Sequence, residues 1–115
     1  MSDKMEKNEN QVPVEEFVEV MPLVDILESN DGVTMWFEVP GANSRSVDIE
    51  VKDGVMAMKA VSTLRRNGKS LVFKRRFQLA DGVDVEKISA RTQDGVLVLS
   101  IPKSEEAKVH KIKVC

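Results

Sequence analysis

The segment Val96-Leu97-Val98-Leu99-Ser100-Ile101 restricts the fold of this chain more than any other. Its apolar residues fall at both alternations. As a strand it therefore shows apolar side chains on both faces and calls for cover on each. Asp94-Gly95 precedes it as a tight-turn pair, because Gly accepts positive φ and Asp can bond the backbone two residues on. Pro102 follows it, has no N–H to give to a ladder, and ends the strand. The rest of the chain must supply the covering layers.

Upstream, the apolar period is two. Val24–Ser29 reads as a short strand, and Asn30-Asp31-Gly32 as a turn. Val33, Met35, Phe37 and Val39 fall on one face of the next strand, and Thr34, Trp36 and Glu38 on the other. Pro40-Gly41 stops it. Val47, Ile49 and Val51 alternate with Asp48, Glu50 and Lys52, and Asp53-Gly54 turns into a strand from Val55 to Val61. Residues 65–69 read as a loop, with Asn67-Gly68 the strongest short hairpin signal in the chain. A strand from Ser70 to Leu79, a loop over residues 80–84 and a short element from Val85 to Ala90 lead back to the opening segment. Strands at this spacing, joined by Gly turns, predict an all-β fold, an antiparallel immunoglobulin-like β-sandwich. No helical run of useful length is present.

The ends differ from this body. Residues 1–21 form an N-terminal arm, expected to be largely disordered at its polar start. Its second half sets Val12, Val14, Phe17, Val18, Val20 and Met21 among acids, between Pro13 and Pro22. Those side chains either lie on the domain's own core or offer apolar surface to something else. Residues 22–103 make the sandwich, and residues 104–115 a C-terminal extension. In that extension Ile112 and Val114 are two apart and point the same way when extended.

Several motifs together resemble the small heat-shock proteins, the α-crystallin family. Ala90, Asp94, Gly95, Val96 and Leu97 match its A-x-x-x-n-G-V-L signature, with Ile101-Pro102-Lys103 after them. The run from Pro22 to Glu28 resembles the family's opening strand. Phe37-Glu38-Val39-Pro40-Gly41 looks like its next strand end, and Phe77-Gln78-Leu79 before Asp81-Gly82-Val83-Asp84 like a later link. Ile112-Lys113-Val114 is similar to the C-terminal I-x-I/V anchor. The agreement runs from about Pro22 to Val114. One departure stands out: bacterial and plant members carry a long exchanging loop where residues 61–70 leave only a short turn. The spacing is closer to animal members, whose long hairpin strand pairs edge to edge across a dimer. The resemblance implies such an interface at Phe73, Arg75 and Phe77, with Arg75 as the interface arginine. It also implies that the tail pair docks on a neighbouring subunit, in a groove made by Ile49 and Val51 on one strand and Ile88 and Ala90 on another.

Arg75 adds an expectation of its own. By alternation it shares a face with Leu71, Phe73, Phe77 and Leu79, where an unpaired charge costs several kcal/mol. It should therefore have an acidic partner nearby, from this chain or a second subunit, or else lie on an edge strand and reach water along its stem.

The sequence carries no recognisable enzyme site. His110 is its one histidine and sits in the polar tail, and Cys115 is its one cysteine, so neither a metal site nor an internal disulfide is expected. No phosphate-binding glycine motif occurs, and no cofactor is expected. The serines lack a recognisable His–acid arrangement. A basic cluster of Arg65, Arg66, Lys69, Lys74, Arg75 and Arg76 stands against a net charge of −2, which argues against nucleic acid. No secretory signal and no membrane span are apparent, so a reducing, cytoplasmic setting is expected.

The function that fits is ATP-independent holding of unfolding proteins, by apolar surface hidden at rest and released on demand. Its partners would be unfolding clients and further copies of the chain, as a dimer or larger oligomer. An alternative is a co-chaperone or adaptor on the related CS-domain sandwich, binding one folded partner.

Overall fold

The computed structural model describes residues 16–115. Its strands are β1 Phe17–Val20, β2 Val24–Ser29, β3 Gly32–Glu38, β4 Val47–Lys52, β5 Val55–Arg66, β6 Lys69–Gln78, β7 Ser89–Gln93 and β8 Val96–Pro102. They form two four-stranded sheets, in the orders β1-β6-β5-β4 and β2-β3-β8-β7. All pairings are antiparallel except β1 with β6, which is parallel. The expected all-β sandwich is thus observed. Its helical content among the described residues is two 3-10 turns, Val85–Lys87 and Glu105–Ala107.

The core lies between the sheets. Met35, Phe37 and Val39 from β3 and its end meet Met56, Met58 and Ala60 of β5, Phe73 of β6, and Leu97, Leu99 and Ile101 of β8. Val47, Ile49 and Val51 pack against it from β4, as their alternation requires. Phe37 and Phe77 meet edge to face at 5.6 Å, tying β3 to β6 across the sandwich.

The β8 expectation needs correction. Leu97, Leu99 and Ile101 are sealed, but Val96 and Val98 are half-buried and Ser100 is exposed. Among the described residues only one face has a second layer. The other is shielded within its own sheet, where Val98 stands in one cross-strand row with Trp36 and Arg91. Pro102 is the last strand residue, and its carbonyl accepts from Asp84 N–H at 2.9 Å.

The β5–β6 hairpin is longer than its alternation suggests. β5 runs on to Arg66, and the turn is Asn67-Gly68 alone, with φ of 54° and 78°. The register slips between Val61 and Arg65. At that slip Ser62 is buried, while Thr63 and Leu64 are exposed. A bulge breaks the period of two, so the strand looks finished at Val61. There the edge of β5 is met by the loop after β3: Val61 N–H donates to Ser46 and Thr63 N–H to Gly41.

Phe17–Val20 departs from the expected arm by forming β1. Val20 packs against the core and Val18 is half-buried, while Phe17 and Met21 remain largely exposed. Val12 and Val14 lie outside the described residues.

Candidate functional site

Two opposite edges of the sandwich carry the candidate residues. The first lies between β4 and β7, the outer strands of the two sheets. Alternation turns Ile49 and Val51 inward on β4, but among the described residues no further strand closes the sandwich beyond them. Ile88 follows the Val85–Lys87 turn, and Ala90 opposes Leu99 on the inner face of its sheet. These four residues, with Val85, Ser89 and Leu99, line a groove of about 350 Å³. A smaller recess of about 120 Å³ continues it along Val47, Ile49, Ala90 and Leu97. The four groove residues named from the resemblance are therefore brought together. Val85 went unrecognised because a 3-10 turn shows no period of two. Leu99 read only as core, yet it also reaches the groove.

The chain's own tail leaves this groove open. Ile112 and Val114 are 86% and 87% exposed. The extension before them is tied down elsewhere, although it reads as a plain linker. Ser104 N–H donates to the Gly82 carbonyl at 2.6 Å, and Val109 N–H to Asn30 Oδ1 at 2.7 Å. Lys108 Nζ lies 3.1 Å from Glu105 Oε1 and 3.7 Å from Asp31 Oδ1. The Glu105 carboxylate, by accepting that hydrogen bond and by its charge, raises the Lys108 pKa above the ordinary lysine range, and Asp31 adds to the shift. His110 Nε2 lies 3.0 Å from the Glu105 carbonyl oxygen.

The second edge is β6. Its first part, Ser70 to Phe73, is paired by β1, and Lys74 to Gln78 form an open edge. Phe73 is only 5% exposed, and its ring packs in the core of its own chain. The inward alternation that joins it to Leu71 puts it there. Phe77 is half-buried, and the Arg75 guanidinium lies 4.9 Å from the centre of its ring. Among the described residues no carboxylate pairs with Arg75, so the acidic partner expected for it is not supplied by them. An open edge lets the half-buried guanidinium lie over an aromatic face and still reach water. Beyond the sandwich's other rim, Leu23, Ile26 and Leu27 are exposed on and beside the outer strand β2.

Among the described residues no group of three or more His, Cys, Asp or Glu side chains could hold a metal, and Cys115 is an exposed free thiol. No helix among them is long and apolar enough to cross a membrane.

Comparison with known proteins agrees with this architecture. The "18 kDa antigen 2" of Mycobacterium avium is 36% identical over 106 residues, covering 83% of this chain and 74% of that protein. "Small heat shock protein C2" of Rickettsia felis is 28% identical over 105 residues, covering 83% and 68%. The crystal structure of hspA from Xanthomonas axonopodis superposes with a TM-score of 0.64 at 25% identity, covering 75% of this chain and 96% of that one. The model of the Hsp20/alpha crystallin family matches residues 25–115. The sandwich, its signature hairpin and that match together make this chain a member of the Hsp20/alpha crystallin family, the small heat-shock proteins.

Proposed function

We propose that the chain is an ATP-independent holdase: it covers apolar surface on unfolding proteins and so prevents their aggregation. The observation that carries this reading is an unmatched pair of surfaces. An apolar tail pair stands in solvent, and an apolar groove of fitting character stands open on the same molecule. Each suits the other on a neighbouring copy, and each suits a client when free. Phe17, Met21, Leu23, Ile26 and Leu27 extend the exposed apolar surface on the opposite side, and Val12, Val14, Val18 and Val20 complete the proposed client-binding arm. Arg75 and Phe77 form the proposed dimer surface, on the open edge of β6.

The energetics favour exchange over permanent closure. Burying Ile112 and Val114 gains about 1.5–3 kcal/mol each. Ordering the tail costs about 1–2 kcal/mol per residue. One docked tail is therefore near balance, and several in one assembly add up. A client that competes for the groove, or a rise in temperature, opens such contacts. We place this activity in the cytoplasm, where a reducing medium keeps Cys115 a thiol.

The test is light scattering from a heated substrate protein without ATP. Scattering falls when the chain is present in equimolar amount. Unchanged scattering at that ratio and above would end the holdase reading.

A further inference from the structure

The edge of β6 already holds a strand, and the chemistry of that strand says what else the edge accepts. β1 lies parallel to β6, with Phe17 opposite Ser70 and Val20 opposite Phe73. Val18 and Val20 turn toward the core side, in line with Leu71 and Phe73. Glu16 and Glu19 meet Lys69 and Lys74 at 3.8 and 3.6 Å. The seated segment is thus an extended strand with apolar residues on one side and carboxylates set against β6 lysines.

Its hold is weak. The strand is short and its ion pairs are solvent-exposed, so each is worth little and is screened by salt. Beyond Phe73 no described residue pairs with the same edge from Lys74 to Gln78. The chain cannot extend β1 along it, because residues 21–23 cross to the other sheet to begin β2. On this open part Arg75 and Arg76 have no carboxylate partner among the described residues. The edge therefore combines free backbone donors and acceptors, positive side chains and Phe77 at its inner rim.

We propose that the β6 edge, from Ser70 to Gln78, is an acceptor for extended acidic segments with alternating apolar residues, and that β1 is its exchangeable resident. The occupant that enters is such a segment of an unfolding client, held by strand addition to the sheet in competition with the second copy proposed at Arg75 and Phe77. Backbone pairing supplies the hold, and Lys69, Lys74, Arg75 and Arg76 select carboxylates over ammonium groups. This assignment rests on the holdase reading for its biological occupant, but the edge's preference is a property of the chain alone.

The experiment uses the full chain and two fluorescent peptides. One carries residues 15–21 of this sequence, and the other carries Lys in place of each Glu. Fluorescence anisotropy is read for the wild-type chain and for Val18→Pro, which puts a proline inside β1 and so weakens that strand while leaving the β6 sequence unchanged. The acidic peptide binds, and about ten-fold more tightly to Val18→Pro than to wild type, because its resident competitor is weakened. Raising salt from 0.05 to 0.5 M weakens it by about ten-fold. The Lys peptide binds at least about ten-fold more weakly than the acidic one. Lys74→Glu with Arg76→Glu, made in the Val18→Pro background, removes the preference. Equal binding of both peptides would reduce the edge to general stickiness and overturn the proposal. So would an affinity for the acidic peptide that ignores Val18→Pro. Hydrogen exchange of the wild-type chain gives an independent reading: residues 17–20 exchange well before 97–101, and equal protection would show that β1 is no exchangeable resident. If heated substrates still aggregate while the peptides discriminate, the holdase reading fails and the acceptor edge stands. If aggregation is suppressed without discrimination, the reverse holds.

Discussion

Ser62 shows how much one side chain can hold together. It is buried, and its hydroxyl donates to the Pro40 carbonyl at 2.7 Å and accepts from Leu64 N–H at 2.9 Å. It thereby satisfies the β5 bulge and ties the loop after β3 to it. Ser62→Ala leaves a carbonyl and an amide without that partner, at a cost of about 1–3 kcal/mol in urea denaturation. Lys108 acts at the same scale on the extension. A lysine with a raised folded-state pKa contributes stability that is complete below its unfolded value, about 10.4, and is lost as pH rises through the higher folded value. Hydrogen exchange around Val109 should therefore quicken above about pH 10.4, beyond the intrinsic base catalysis seen in an unstructured control peptide. Lys108→Met, which carries no charge, should abolish that extra step. A step that survives in Lys108→Met would assign it to another group.

Among the elements, the β2–β3 turn is a tight junction against the backbone of β8. Gly32 has φ of 151°, and a Cβ there would collide with the backbone carbonyl of Ile101 on β8. Backbone in a ladder cannot readily move aside, so Gly32→Ala should cost about 1–3 kcal/mol, with the end of β3 separating from β8 first. A variant as stable as wild type in thermal unfolding would contradict that clash. The turns were legible from sequence because Asn67-Gly68 and Asp94-Gly95 need positive φ, and all four residues adopt it. The full reach of β5 was not, because a bulge shifts the phase of the alternation on which such a reading depends. β1 was not either: Phe17–Val20 is too short to declare itself, and it becomes a strand only where β6 offers an edge with lysines opposite its acids.

For the whole molecule, the proposed function turns on the open groove and the exposed tail. If tails of neighbouring copies fill the groove, Ile112→Ala with Val114→Ala should shrink the assembly, as read by native mass. Each lost side chain removes about 1.5–3 kcal/mol of burial per docked tail. An unchanged mass would show that the tail does not anchor assembly. The same double variant should leave the unfolding free energy of the single domain, read by thermal denaturation, within about 0.5 kcal/mol of wild type, because neither side chain touches the core.

The sequence alone determined the sandwich, its hairpins and most of its core, because alternation and glycine turns are local signals that every residue carries in its own chemistry. It also pointed to Ile49, Val51, Ile88 and Ala90 through resemblance. Only the tertiary structure decided that these four line one open groove, that Phe73 is sealed inside, and that Arg75 rests on Phe77 without a carboxylate among the described residues. Those outcomes depend on which strands end at a sheet edge. Edge position is a property of the assembled topology, and no stretch of sequence encodes it by itself.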